Sequence, residues 1–124
     1  MAELNHTIVH SHDKRAGATY LAEILDLKAP AEFGPFLAVE VANGVTLDYA
    51  QFGGDVAAQH YAFLVTDDEF DAAFARIVAH GQTYWAGPGH QGENEINTND
   101  GGRGVYFDDP SGHVMEILTV PYGG

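Results

Sequence analysis

Cysteine is absent from the 124 residues of the chain. Its absence excludes a disulfide framework, a thiolate metal site and a cysteine nucleophile. Any metal ion must therefore be bound through imidazole nitrogen and through oxygen ligands. The seven histidines and 18 acidic residues are the side chains among which such a site must be sought.

Basic residues are also scarce. Five Lys and Arg residues face 18 Asp and Glu residues, which gives a formal net charge of −13 at pH 7. Such a negative field repels polyanions, so we expect neither a nucleic acid nor an anionic membrane surface as a partner. The same scarcity argues against a multiply anionic small substrate, because binding one requires several converging cationic side chains.

Long hydrophobic runs are missing as well. No stretch approaches the roughly 18 consecutive apolar residues that a membrane-spanning helix requires. The first residues, Met1 to His6, lack the basic-then-apolar layout of a secretory signal. The composition is otherwise globular, with 45% hydrophobic and 19% charged residues. We therefore expect a cytoplasmic protein without a membrane partner.

The spacing of hydrophobic residues predicts two successive segments, each with a strand, a helix and further strands. In the first segment we predict a strand over 4–12, a helix capped by Asp13, and two strands over 36–41 and 45–52 joined at Asn43-Gly44. In the second we predict a strand over 59–66, a helix over 69–80 capped by Asp67 or Asp68, and strands over 83–86, 104–107 and 114–120. The pattern repeats after about 55 residues. We interpret the chain as one domain, residues 1–124, with modules of about 1–54 and 55–124.

Two segments are predicted to be loops. Pro30 and Pro35 lie between the first helix and the strand that begins at Phe36. Residues 87–102 are rich in Gly, Asn and Asp, and loops of this length in a small domain are usually functional or mobile. His90 in this second loop could close over a ligand, or it could simply be solvated.

The repeat brings a histidine and a carboxylate to equivalent positions of both modules. Asn5-His6-Thr7-Ile8-Val9 matches Gln59-His60-Tyr61-Ala62-Phe63, and Leu47-Asp48-Tyr49 matches Met115-Glu116-Ile117. If the two units pair about a pseudo-two-fold axis, the two His and two carboxylates face one cavity. Such a set suits a divalent ion of Fe, Zn, Ni, Mn or Co. Glu116 carries the most weight, because a carboxylate within an apolar strand is costly to bury unless it is paired or metal-bound.

The most specific motif is Tyr106-Phe107-Asp108-Asp109-Pro110-Ser111-Gly112-His113-Val114-Met115-Glu116-Ile117. Together with Leu4-Asn5-His6-Thr7 and Gln59-His60-Tyr61-Ala62-Phe63, it resembles the vicinal oxygen chelate superfamily of glyoxalases, extradiol dioxygenases, fosfomycin-resistance enzymes and bleomycin-binding proteins. The resemblance covers essentially the whole chain. It implies an α+β fold of two βαβββ modules in pseudo-two-fold pairing, which form an open, cupped mixed sheet with the metal inside.

The resemblance also implies roles for individual residues. By it, His6, His60 and Glu116 bind one divalent metal ion, and Asp48 lies where some members have a fourth ligand, commonly Glu. Because Asp is shorter, Asp48 could instead be a base or an exposed residue. The turn from Asp109 to His113 is interpreted as structural.

Two further residues are candidates for catalysis. His10 has the same strand parity as His6, so it could line the cavity and move protons, or it could simply be exposed. Arg103 is the one base beside the long loop, and it could orient an anionic oxygen or anchor the loop by a salt bridge. Asp48 could also transfer protons if it is not a ligand.

Two classes of function agree with these features. In the first, the metal chelates adjacent oxygens of a small organic substrate and stabilises an anion as a Lewis acid, as in a glyoxalase-like lyase or isomerase or an extradiol-type dioxygenase. In the second, the chain sequesters a drug or other ligand without a metal, as bleomycin resistance proteins do. The acidic charge favours sequestration, whereas the full ligand set favours the enzyme. Open sheet edges and the resemblance predict a homodimer.

Overall fold

Two four-stranded mixed sheets, each with one α-helix, contain the strands and α-helices of the described part of the chain. In the computed structural model, residues 1–121 are described, and contacts divide the chain into two units, Met1–Ala57 and Ala58–Gly124. The last three residues of the predicted second module, 122–124, lie outside the described residues. No helix within the described part is long and apolar enough to cross a membrane.

The two units have the same order of elements and the same sheet topology. The first contains β1 His6–Ser11, α1 Lys14–Leu25, β2 Ala31–Phe33, β3 Phe36–Glu40 and β4 Thr46–Gln51. The second contains β5 His60–Leu64, α2 Asp67–Ala79, β6 Tyr84–Trp85, β7 Gly104–Asp108 and β8 Val114–Leu118, with a 3₁₀ turn at Asn99–Gly101. The strand orders are β1-β4-β3-β2 and β5-β8-β7-β6. In each sheet the first pair is parallel and the other pairs are antiparallel. The predicted α+β class and the βαβββ modules are therefore confirmed.

One strand differs from the prediction. The interval between Pro30 and Pro35 contains β2, which pairs with β3 at the edge of the first sheet. All three residues of β2 are exposed, so the strand has no buried face and gives no alternating signal. Gly34, with φ of 55°, supplies the left-handed conformation of the turn into β3.

The helix ends follow local capping chemistry. The Asp13 side chain accepts hydrogen bonds from the amides of Arg15 and Ala16, as predicted for the start of α1. For α2 the cap is Thr66, one residue before the predicted pair of aspartates. Thr66 forms a reciprocal capping box with Glu69, in which each side chain accepts from the other residue's amide. Two amides are satisfied in this way, which explains why Thr66 is preferred.

In the first unit, helix α1 covers one face of its sheet. The buried residues on that face are Val9, Leu37, Val39, Leu47 and Tyr49, which pack with Leu21 and Ile24 of the helix. The helix approaches closely at Gly17, where a Cβ atom would lie 2.8 Å from Ser11 Oγ and 3.1 Å from Tyr49 Cε2. Because side chains alternate along a strand, the residues between these buried ones lie on the opposite, helix-free face.

In the second unit, α2 covers the equivalent face. Phe74 of the helix contacts Tyr84 edge-on at 5.0 Å between ring centroids, and Arg103 lies over the Phe70 ring. The core of this unit consists of Phe70, Ala73 and Ile77 with Val105, Phe107, Met115 and Ile117. The alternate residues of β5, β7 and β8 therefore lie on the helix-free face of this sheet.

Candidate metal and substrate site

A histidine and a glutamate meet on the helix-free face of the second sheet. His60 is the first residue of β5, and Glu116 lies in β8 opposite Ala62. The His60 Nε2 atom is 3.0 Å from Glu116 Oε1. The carboxylate is largely buried, with 11% of its side chain exposed, whereas the imidazole is 46% exposed. The costly burial of Glu116 is thus offset by one imidazole neighbour, as expected for a paired or metal-bound carboxylate.

The first unit has the same constellation in the same register. Asp48 of β4 lies opposite Ile8, two residues after His6, just as Glu116 lies opposite Ala62, two residues after His60. Asp48 is buried, and His6 is exposed at the start of β1. The two sheets therefore carry a histidine and a carboxylate at equivalent register positions, as predicted from the repeat.

Both imidazole rings have an oxygen neighbour at Nδ1. The Nδ1 atom of His60 is 3.2 Å from the Val114 carbonyl, and that of His6 is 2.7 Å from Asn5 Oδ1. Because a carbonyl oxygen only accepts hydrogen bonds, each Nδ1 carries the hydrogen and donates it. Nε2 is then the ring atom left to bind a metal ion, which would take the place of a hydrogen there, and such a bond to Nδ1 is the usual support of a metal-binding histidine.

The spacing of the donor atoms fits one metal ion. Two ligands at about 2.1 Å from a metal and at right angles to each other lie about 3.0 Å apart, which is the separation of His60 Nε2 and Glu116 Oε1. Among the described residues 1–121, no group of three or more His, Asp and Glu side chains that could hold a metal ion is found. Within the second unit, His60 and Glu116 lie at a separation suited to two ligands of one ion.

Aromatic rings extend the helix-free face of the second sheet away from His60. The His60 and Tyr106 rings stack at 5.7 Å between centroids. Tyr106 lies opposite Glu116 on one side and opposite Trp85 on the other, so these side chains share one face. The His90 ring lies on Trp85 at 3.7 Å.

From the sequence, His90 could close over a ligand or be solvated, and no pattern there joins it to Trp85 and Asp108. Residues 87–102 were predicted to be a loop without further structure, but the chain returns along β6 there. Trp85 bridges Glu93, and the amide of Ala86 donates to the Gly92 carbonyl at 3.1 Å. His90 thus occupies the tip of a hydrogen-bonded turn, and no local pattern in the sequence would have revealed its partners.

The model of the Glyoxalase/Bleomycin resistance protein/Dioxygenase superfamily matches residues 3–117. The chain belongs to this superfamily. The vicinal oxygen chelate resemblance inferred from its motifs is thereby confirmed.

Two solved structures match this chain over nearly its whole length. Oxidase ChaP-H1 is 60% identical, with a TM-score of 0.98, and the match covers 100% of both chains. Oxidase ChaP-H2 is 57% identical, with a TM-score of 0.96, and the match covers 99% of this chain and 97% of that one.

Curated superfamily relatives are more distant. Glutathione transferase FosA of Serratia marcescens is 28% identical over 123 residues, which are 94% of this chain and 80% of that protein. Metallothiol transferase FosB of Shouchella clausii (strain KSM-K16) is 33% identical over 60 residues, which are 48% of this chain. The chain matches only 37% of the length of that transferase.

Arg103, a candidate for orienting substrate, lies on the helix-covered side of the second sheet. Its guanidinium donates to Asp71 Oδ1 at 2.7 Å and to Asp67 Oδ1 at 3.1 Å, both on α2. Arg103 is two residues before the buried Val105 and so points to the same, helix-covered face. Glu116 lies opposite Tyr106 and points to the other face. The structure therefore favours the anchoring interpretation of Arg103, with both carboxylates raising the pKa of this group above its ordinary value.

His10 is on the helix-free face of the first sheet, as its parity predicted. It is four residues further along β1 than His6, or about 13 Å at the rise of an extended strand. Its ring stacks in parallel on Phe52 at 4.4 Å between centroids. A proton-transfer role for His10 stays a prediction.

The turn before β8 is built around Asp109. Its Oδ1 atom accepts from the amides of Ser111 at 2.9 Å and His113 at 2.8 Å. The buried His113 ring in turn accepts from the Gln59 amide at 3.0 Å through Nδ1. The turn therefore connects β5 to the start of β8, which supports its structural interpretation and positions His60 beside Glu116.

The other carboxylate oxygen of Asp109 is buried without a hydrogen-bond partner among the described residues. Burial raises the pKa of Asp109, and its bonds from the His113 and Ser111 amides only partly oppose this. The folded state thus binds the proton more tightly than the unfolded state. The resulting stabilisation is complete below the ordinary carboxyl pKa of 3.8 and is lost as the pH rises through the higher folded value.

We therefore expect the stability of the native protein relative to Asp109→Asn to fall as the pH rises from just below 3.8. The free energy of unfolding should be measured in urea for both proteins from pH 3.5 to 7. Asp55→Asn, in an exposed loop, is the matched control and should show no comparable trend. A constant difference between native protein and Asp109→Asn across this range would contradict the prediction.

Proposed function

We propose that this chain is a metal-dependent oxidase of its superfamily. It binds one divalent metal ion through His6, His60 and Glu116 and oxidises a small, planar, oxygen-bearing substrate with dioxygen as the oxidant. The observation that carries the metal site is the 3.0 Å pair of His60 and Glu116, whose imidazole is oriented through Nδ1. Asp48 remains a candidate fourth ligand or base.

The oxidase class is supported by similarity along the full chain. Two proteins named as oxidases are 60% and 57% identical to it, whereas the two named as transferases are 28% and 33% identical. The charge distribution also argues against glutathione as a substrate, because the tripeptide is anionic and the chain has five basic residues. Arg103, the one basic candidate for the site, is paired with two aspartates of α2.

The donor set supports iron among the possible metals. Two histidines and one carboxylate form the facial triad typical of non-haem Fe(II) oxygenases. When bound, such an ion would chelate adjacent substrate oxygens as a Lewis acid and supply the redox chemistry that an oxidase needs. The chain has no cysteine, so it offers no thiolate ligand that would favour a softer metal.

The chain's own residues would bind and orient the substrate. Tyr106, stacked beside His60, offers an aromatic surface on the same face as Glu116. The Val114 carbonyl fixes the His60 ring through Nδ1, so Nε2 keeps one orientation. Burial of the Glu116 side chain limits its hydration and strengthens its electrostatic interaction with a cation.

Assembly as a homodimer is part of this proposal. Phe33 on the edge strand β2 is 67% exposed, and Leu64 on the helix-free face of the second sheet is 61% exposed. Exposed edges and large apolar side chains are features that a second copy can cover.

Metal analysis combined with oxygen uptake tests the proposal. Protein purified without added metal or a metal-binding tag should contain mainly iron. With catechol as the test substrate, iron-loaded protein should consume dioxygen and zinc-loaded protein should not, because zinc has no redox chemistry. Copurification with zinc alone, together with no oxygen uptake after iron loading, would instead support a lyase or isomerase.

A further inference from the structure

Trp85, His90 and Asp108 form a cluster, here called the His90 cluster, on the helix-free face of the second sheet. Trp85 of β6 lies opposite Tyr106 of β7, which lies opposite Glu116 of β8. Side chains directly opposite one another in a sheet share a face, so Trp85 and the proposed metal ligand Glu116 are on the same side. Asp108 has the same parity as Tyr106.

Two contacts fix the His90 ring, and the backbone of this residue has an uncommon conformation. Its plane lies on the Trp85 ring at 3.7 Å between centroids and 15° from parallel. Its Nε2 atom is 3.2 Å from Asp108 Oδ2 and 3.4 Å from Oδ1. Its backbone has a φ of 61°, a left-handed conformation that non-glycine residues seldom adopt. An unconstrained loop histidine would need none of these.

The Asp108 contact decides which nitrogen of His90 can accept a proton. A carboxylate only accepts, so Nε2 carries the hydrogen and donates it to Asp108. In the neutral imidazole the free lone pair is then on Nδ1, which has no hydrogen-bond partner among the described residues. The side chain is 51% exposed, so this lone pair is accessible. A carboxylate behind the ring also stabilises the imidazolium that forms when Nδ1 takes up a proton.

A purely stabilising role does not explain the arrangement of the His90 cluster. An exposed ion pair contributes little to stability, and the left-handed backbone opposes folding. The turn nevertheless places the His90 ring against Trp85 by closing Gly87 onto Gln91, whose carbonyl accepts from the Gly87 amide at 3.0 Å. The arrangement resembles a positioned base with an orienting carboxylate.

We propose that His90 is a catalytic residue that contacts the substrate and accepts the proton of its phenolic hydroxyl, with Asp108 as the positioning residue. The O–H bond breaks, its electron pair stays on oxygen as a phenolate, and a new N–H bond forms at Nδ1. No electrons leave the substrate in this step. The inference rests on the proposed function only for the substrate class, a planar molecule bearing a hydroxyl group.

The test uses metal-free protein in EDTA with 4-nitrocatechol, whose phenol and phenolate forms absorb at different visible wavelengths. Trp85 is the one tryptophan of the chain, so quenching of its fluorescence gives the binding curve. The absorbance of the bound probe is read at a pH where the free probe is mostly protonated. We expect the native protein to raise the ratio of phenolate to phenol by at least about tenfold.

His90→Gln should bind the probe without raising this ratio, since the amide cannot accept a proton under these conditions. Asp108→Asn should raise it less than the native protein does, because the ring loses its orienting anion. His80→Gln, at the C-terminal cap of α2, is the matched control and should behave as the native protein. Far-UV circular dichroism establishes that each variant is folded.

The proposal is overturned if His90→Gln ionises the bound probe as well as the native protein does. It is equally overturned if the native protein binds the probe without ionising it, or does not bind it in the absence of metal. These outcomes are independent of the metal site, because every arm contains EDTA. Failure of the oxidase proposal would appear in the metal and oxygen measurements and would leave the absorbance result unchanged.

Discussion

Replacement of His60 by alanine should abolish stoichiometric metal binding. Its Nε2 atom and Glu116 Oε1 are 3.0 Å apart, as expected for two ligands of one ion. Loss of an outer-shell partner alone costs about 10–100-fold in metal affinity, so loss of a direct ligand should cost at least as much. His6→Ala and Glu116→Gln should have the same effect, the latter by removing charge at nearly constant shape. Metal content is measured by mass spectrometry after dialysis.

His80→Ala is the control for these variants, because His80 is the C-cap of α2 and lies outside the strands that carry the proposed ligands. It should retain the metal content of the native protein. Unchanged metal content in His6→Ala, His60→Ala or Glu116→Gln would remove that residue from the site. Retention by all three would refute the metal centre as a whole.

A doubly sulfonated catechol should bind to the metal-loaded protein at least about tenfold more weakly than catechol itself, because its two added negative charges meet a protein of net charge −13. Arg103, which could have compensated one charge, is paired with Asp67 and Asp71. Screening over a Debye length of roughly 8 Å leaves repulsion at contact distance largely intact in physiological salt. Calorimetric titration of both ligands measures the ratio.

The salt dependence supplies the control for this comparison. At 1 M salt the Debye length falls to about 3 Å, so the difference between the two ligands should shrink while catechol binding changes little. Tighter binding of the disulfonate than of catechol would contradict the prediction. It would indicate cationic groups at the site and would make anionic substrates such as glutathione or a phosphonate plausible again.

The sequence by itself determined the repeated βαβββ order and the histidine and carboxylate of each half. These features follow from local rules, since alternation with a period of two marks a half-buried strand and Asp13 caps the helix next to it. The register in each sheet then follows, because a slip by one residue would turn every buried side chain to the other face. Asp48 and Glu116 therefore occupy equivalent positions opposite Ile8 and Ala62.

Only the tertiary structure revealed the features that no local sequence pattern indicates. Strand β2 is formed by pairing with β3 and buries no residue of its own, so hydrophobic spacing could not reveal it. The sequence left Arg103 open between orienting an anionic oxygen and anchoring the loop, and only the structure shows its guanidinium paired with Asp67 and Asp71 of α2. His90 and Asp108 are 18 residues apart and meet only because the chain folds back along β6. Contacts of this kind depend on the path of the backbone through space, which hydrophobic period and capping residues do not encode.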